Sequence, residues 1–357
     1  MTILLTNEEV EALLDMRECL DLFESAYREL GEGIGVTRTA SQAFAPTRHG
    51  LEAVYSLKSM DGIAPSLDVA ATRLTSEILT WPADRHGQAK KVRIGAAPGG
   101  RFVGLVLLFS TATSEPLAIF PDGVIQRMRV GASSALAAKY LARADASEVA
   151  MLGCGWQAAA QIRAITLVRK VAQVRCFSPN AARREAFAQK MAQETGVSVM
   201  ACASTEAAVT GADVVLCATN STAPVFFARW IERGMHLSAI QHAELDPEVF
   251  KAADVTIVHF AGRPAVTEAS RGIDHGENAE DIRRAARAAI GVASNLHDLV
   301  LGRAQGRTSP AQVTAFLNNA GLGYQFAVLG AALYRNARAR GIGRELPTDW
   351  FTEDVNP

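Results

Sequence analysis

Met151-Leu152-Gly153-Cys154-Gly155-Trp156-Gln157-Ala158 is the stretch on which the fold turns. It follows the apolar run Glu148–Leu152 and opens an alanine-rich helical pattern, so Gly153, Gly155 and Ala158 fall on the G-x-G-x-x-A spacing of a dinucleotide-binding turn. Gly153 permits the tight turn. Gly155 lets the backbone approach a pyrophosphate whose charge rests on the helix N-terminus, where Trp156 and Gln157 stand, and Ala158 keeps that helix close to its strand. The competing reading is a glycine turn that binds nothing. About 20 residues further on, an NAD-preferring fold places Asp or Glu at the end of the second strand to hold the ribose hydroxyls. Here stands Ser178, followed by Asn180, Arg183 and Arg184. That end has no carboxylate to repel a 2′-phosphate and has cations to receive one, so NADP(H) is expected and NAD(H) is the alternative. Both arginines on the solvated face of the next helix is the blander account.

Outward from this turn, apolar strands alternate with amphipathic helices: strands at 148–152, 173–177, 197–201, 213–218, 235–240 and 254–258, with helices or loops between them. This βαβαβ grammar predicts a Rossmann-type, doubly wound parallel sheet in an α/β protein. Thr219, just past the fourth strand, joins the expected cofactor-binding set. Before Ser147 the grammar differs. Thr6 to Glu9 fits a capping box, and the spacing of Val10, Leu13, Leu14, Leu20, Phe23, Ala26 and Leu30 predicts a helix or two after a short strand. From 31 to 109 short alternating segments broken by Gly and Pro, such as 53–58 and 102–109, predict a mixed or antiparallel sheet. A long helix is expected from Val124 to Leu141. From Ser309 a last helical pattern, with Phe316, Leu317, Leu322, Phe326, Leu329 and Leu333, is expected to return to the first domain, the parallel strands being already spent.

The chain has 357 residues, 49 % hydrophobic and 20 % charged, with 36 basic against 37 acidic side chains. That balance excludes a disordered or collagen-like chain and gives no global basic field for nucleic acid or an anionic membrane. The five cysteines are odd in number and scattered in apolar runs, which reads as reduced core thiols in a cytoplasmic protein. No run approaches the ~20 apolar residues of a membrane span. Histidines and cysteines show no zinc-ligand spacing, Asp274-His275-Gly276-Glu277-Asn278 reads as a surface loop, and Arg283-Arg284-x-x-Arg287 as a solvated helix face.

Three blocks carry a resemblance. They are Gly104 to Ser110 leading to Glu115-Pro116-Leu117-Ala118; Asp122-Gly123-Val124-Ile125-Gln126-Arg127-Met128-Arg129-Val130 with 132–142 after it; and Gly153 to Ala158. With Glu244-Leu245-Asp246 and the Gly321-x-Gly323-x-Gln325 helix, the chain resembles the ornithine cyclodeaminase/μ-crystallin family over most of its length. The resemblance implies a homodimer with a smaller α+β substrate-binding and dimerisation domain, 1–123 with 320–357, beside a Rossmann domain, 124–319. It also implies NAD(P)-linked chemistry on a small amino or imino acid.

Carried over residue by residue, Arg129 matches the family's substrate-carboxylate arginine, a task suited to a planar bidentate donor. Arg38 is a second candidate, against a plain surface arginine. The family's active-site lysine has Arg73 in the best-fitting segment, with Lys58 the other candidate; an arginine keeps the charge but cannot give up a proton. The family's catalytic aspartate loop shrinks here to Gln241-His242-Ala243, leaving His242 as the candidate acid/base or a solvated loop residue. These residues imply an imine reductase or amino-acid dehydrogenase. The alternatives are an ornithine-type cyclodeaminase, which needs the proton relay that the missing lysine and aspartate would supply, or a non-catalytic binder of small ligands. The insert from Ile78 to Val92, with Trp81-Pro82 and Lys90-Lys91, is expected to reshape the pocket.

Overall fold

The computed structural model describes residues 1–50, 52–82, 92–262, 266–270 and 277–354, the side chains of 277–283 excepted. Asp274 to Gly276, Lys90-Lys91 and the side chains of Glu277, Asn278 and Arg283 lie outside the described residues.

Parallel strands run in the order Ser198–Ala201, Gln173–Phe177, Glu148–Leu152, Val214–Cys217, His236–Ala239, Thr314–Leu317, Val255–Val258 and Ser294–Asn295. Chain order reverses between Glu148–Leu152 and Val214–Cys217, which opens a crevice beyond their carboxyl ends. Four of the central strands are buried on both faces; Val214–Cys217 is apolar throughout, while His236–Ala239 and Thr314–Leu317 also bury the polar His236, Ser238 and Thr314. Thr314–Leu317 corrects the expected helix from Ser309. The run Val313 to Leu317 is too short for periodicity to tell strand from helix, and its insertion between two earlier strands completes the sheet after the chain has left it.

The other sheet is mixed, built around the long antiparallel pair Ala53–Ala64 and Val69–Thr80, flanked by Ser41–Pro46 and Val103–Ser110. Val266–Ala269, from within the stretch that the resemblance gave to the Rossmann domain, pairs instead with Ser41–Pro46, because a strand edge there offers unpaired backbone groups. Residues opposite each other in register share a face. Met60, Arg73 and Val106 therefore line the inner face, where all three are buried. Leu57, Val103, Leu105, Ile63 and its neighbour Val36 line the outer face, where all are exposed.

Two helices join the sheets. Gly123–Leu141 crosses Trp156–Val168 closely, since a Cβ on Gly131 would meet the Ala160 carbonyl. Gly323–Arg340 lies on the inner face of the mixed sheet, its first turn passing backbone to backbone over Asp61 and Gly62. Only a glycine at 62 and at 323 leaves room for that crossing. The Thr6–Glu9 capping box forms as the sequence spacing predicts, each residue bonding the other's backbone N–H.

Candidate active site

The glycine turn sits at the switch point. Gly153 has φ +107°, its N–H donates to Phe177 O (2.9 Å), and a Cβ there would strike the Ala218 carbonyl of the neighbouring strand. Gly155 faces open space, with nothing within 4 Å of a Cβ position, and begins the helix Trp156–Val168. Ala158 is fully buried. Two polar atoms beside the turn, Gln157 Oε1 and Ser178 Oγ, are buried without a hydrogen-bond partner. Buried polar groups are paired as a rule, so an open glycine cradle flanked by two such atoms fits a bound dinucleotide. Trp156 is 47 % exposed and stacks on Arg127, which is ion-paired to Glu11.

At the end of the second strand the expected residues divide. Asn180 spends its side chain capping the helix Ala181–Thr195, accepting from Arg183 N–H (2.9 Å). Arg184 turns back over Phe177 and donates to Ser178 O (3.1 Å). Arg183 is exposed.

Beyond the neighbouring strands the loops are tied by Glu244, which the sequence reading quoted only as part of a motif. Its buried carboxylate accepts from Thr219 N–H, Thr219 Oγ1 (2.8 Å), Ile240 N–H (2.9 Å) and Gln241 N–H (2.9 Å). Burial lifts its pKa to about 7 against these four donors. Thr219 is thus committed to the protein, its carbonyl accepting from Gln241 Nε2 (2.7 Å). His242 lies half-buried in the same loop.

Across the crevice, Arg129 and Arg73 come together, 4 % and 6 % exposed at Arg73 and Arg129 respectively. Arg73 donates through Nε and Nη2 to one oxygen of Asp122 (2.7 and 2.6 Å). Asp122 fits because Gly104 opposite it has no Cβ; any side chain there would overlap the carboxylate. Phe326 lies under both guanidiniums, 5.3 Å from Arg73 and 6.0 Å from Arg129. Arg129 has no carboxylate within 4 Å among the described residues. Among the described residues it donates to the side-chain oxygens of Gln126 (3.2 Å) and Gln325 (3.5 Å). Burial, and then the charge of Arg73, pull its pKa down to about 9.

Lys58 stands half-buried on the same inner face, opposite Thr75 and one row from Met60 and Arg73. Arg38 is elsewhere. It is ion-paired to Asp61, which strand alternation puts on the outer face, and its side chain is 70 % exposed. Trp81 packs with Phe44, Val54 and Leu79 in a small separate core.

Behind Arg129 lies a buried polar cluster that the sequence reading missed: Gln325 bonds Tyr27 and Ser133, which also approach each other, and Tyr27 bonds His259. Nothing in the sequence flags it, since its members come from four separated elements. Among the described residues no group of three or more His, Cys, Asp or Glu could hold a metal ion, and no helix is long and apolar enough to cross a membrane.

A doubly wound sheet with an open glycine cradle at its switch point, together with a second, mixed sheet that carries the buried Arg73 and a helix that carries the buried Arg129, defines an α/β protein of the dinucleotide fold. The chain belongs to the ornithine cyclodeaminase/mu-crystallin family, which it matches over residues 1–340. It is 28 % identical to the alanine dehydrogenase of Archaeoglobus fulgidus over 97 % of this chain and 98 % of that one. It is 30 % identical to the ketimine reductase mu-crystallin of Rattus norvegicus over 54 % of this chain and 59 % of that one. Its fold superposes on Thermococcus litoralis Δ1-pyrroline-2-carboxylate reductase, solved with NADH and L-proline, with a TM-score of 0.79 at 23 % identity, covering 97 % of this chain and all of that one.

Proposed function

We propose that the protein is an NAD(P)H-dependent oxidoreductase acting on the C=N or C–N bond of a small imino or amino acid. The observation that carries this reading is the charge count beside the crevice: of two buried guanidiniums, Arg73 is paired with the carboxylate of Asp122 and Arg129 has none within 4 Å among the described residues. A buried cation without an anion is costly, so the site calls for one more negative group, and the carboxylate of an amino or imino acid supplies it. The activities named for the relatives support the same chemistry. A bound nicotinamide supplies the hydride. Arg129 receives the carboxylate, and Arg73, locked by Asp122, adds a second positive charge that orients it. Phe326 keeps water from one side of both guanidiniums. Lys58, on the Arg73 face, and His242, in the loop tied by Glu244, are the candidates to exchange a proton with the substrate nitrogen.

NADP(H) is favoured over NAD(H), a reading supported by the missing carboxylate at Ser178 and the exposed Arg183. The residues 1–123 with 320–357 form the substrate-binding unit in this reading. The exposed apolar side chains of its outer sheet face, Leu57, Ile63, Val36, Val103 and Leu105, support self-association into a homodimer. The unpaired, buried cysteines support a reducing, cytoplasmic setting.

The test is loss of reduced-nicotinamide absorbance when the purified protein meets NADPH or NADH with preformed cyclic imines, or with 2-oxo acids plus ammonia or methylamine. Substrate-dependent consumption is expected, faster at low NADPH than at equal NADH. Ammonia release from ornithine with NAD⁺, and no consumption of reduced cofactor, would replace this reading with cyclodeamination.

A further inference from the structure

We infer that Tyr27 and His259 are positioning residues that aim Arg129 at its carboxylate; the inference rests on the role given to Arg129 above. Arg129 is held by two neutral oxygens, so its direction depends on how the Gln325 amide is turned. That amide has one orientation. Gln325 Oε1 accepts from Leu322 N–H (3.2 Å), a contact that a flipped NH2 could not make, while Nε2 donates to Tyr27 Oη (3.1 Å) and Ser133 Oγ (2.8 Å). Both hydroxyls can accept only if their own protons point elsewhere. Ser133 donates to the backbone carbonyl of Arg129 itself (2.8 Å). Tyr27 donates to His259 Nε2, which is bare because the ring's proton sits on Nδ1, bonded to Ala320 O. A carbonyl only accepts, so Ala320 fixes the tautomer and, through it, every proton in the chain. Burial, then the charge of Arg129, hold His259 down to about 3, which keeps the ring neutral.

The cluster thus runs from a backbone carbonyl at 320, through His259 and Tyr27, to an amide oxygen aimed at Arg129. It also explains why a neutral glutamine suits position 325. A glutamate would hold Arg129 more firmly but would consume the positive charge that the substrate carboxylate needs. The chain therefore fixes direction without neutralising charge.

A double-mutant cycle on the full-length protein with its best imine or amino acid substrate separates positioning from packing. Tyr27→Phe is expected to raise KM for the carboxylate substrate about tenfold, the effect of one buried hydrogen bond, with kcat within about twofold and the dinucleotide Kd unchanged. In an Arg129→Lys background the same change is expected to leave KM where Arg129→Lys put it. Additive effects on KM, or no effect of Tyr27→Phe alone, would overturn the inference while leaving the oxidoreductase reading intact. Absence of turnover by the wild-type protein with every imine and amino acid tried would overturn both. A second measurement needs no activity and no variant: nitrogen NMR of the histidine rings is expected to show His259 as the neutral Nδ1–H form, unchanged from pH 8 to pH 5. A protonated ring or the other tautomer in that range would refute the proton arrangement.

Discussion

Replacing Arg129 by methionine tests the charge count most sharply, because the account gives it opposite effects on stability and on ligand binding. Burial and Arg73 lower the Arg129 pKa from 12.5 to about 9. That difference of roughly 3.5 units, at about 1.36 kcal/mol each, corresponds to on the order of 5 kcal/mol spent at neutral pH in keeping the guanidinium charged inside the protein. Methionine has similar length and no charge, and Phe326 offers it an apolar surface. The losses are the bonds to Gln126 and Gln325, about 1–1.5 kcal/mol each; Gln325 Oε1 still accepts from Leu322. The balance favours Arg129→Met by about 2–3 kcal/mol. At roughly 1.3 °C per kcal/mol for a chain of this size, Tm without ligand should rise by about 3–4 °C. The wild-type protein should in turn be stabilised by amino and imino acids, by about 2.7 kcal/mol at a hundredfold excess over Kd, and the variant should not respond to them. Thermal unfolding at pH 7.5, with and without carboxylate ligands and their methyl esters, reads both effects. A variant that unfolds several degrees lower and still responds to the carboxylates would refute the reasoning.

The glycine turn predicts a split between its two glycines. Gly155→Val should leave Tm nearly unchanged and weaken dinucleotide binding at least tenfold by titration, whereas Gly153→Ala, at φ +107° against the Ala218 carbonyl, should lower the yield of folded protein. Glu244 has a folded pKa of about 7, above the ordinary 4.5, so the stability it contributes is fully present below pH 4.5 and is lost as pH rises through 7. Over that range the wild-type protein should lose about 3 kcal/mol relative to Glu244→Gln, read from denaturant unfolding at each pH. Cys154 is held below the usual thiol range, first by the neighbouring Cys176 thiol and then, against burial, by the charge of Arg184, while Cys19, Cys176, Cys202 and Cys217 are raised. Slow alkylation near pH 8, followed by mass mapping, should label Cys154 first, and a bound dinucleotide should retard it because the residue lies inside the glycine turn.

The glycine turn was legible because its chemistry is local: spacing, a strand before and a helix after are all contiguous. Arg129 stands out in the sequence through a pattern shared by a family, and the structure buries it beside Arg73. The pairing of Arg73 with Asp122 was not legible, since it joins residues 49 apart and depends on the missing Cβ of Gly104 in a third strand. Asn180 and Thr219 show the converse limit. Both lie where a cofactor residue is expected, yet the structure spends the first on a helix cap and the second on Glu244. The short run Val313 to Leu317 carries no period that separates strand from helix, and only the gap between two earlier strands decides its conformation. Tyr27 stands in an amphipathic helix and His259 at the end of an apolar run, and their partnership appears only when the helix Met16–Gly31 and the end of the strand Val255–Val258 are brought together.

The most direct measurement follows the hydride itself. Reduced cofactor carrying deuterium at the transferable position is supplied with the imine that supports turnover, and the amino acid product is weighed by mass spectrometry. The account predicts one deuterium on the carbon that was doubly bonded to nitrogen, and its loss when Arg129 is replaced by methionine. Product without deuterium, or deuterium that stays on the cofactor while ammonia is released, would contradict it.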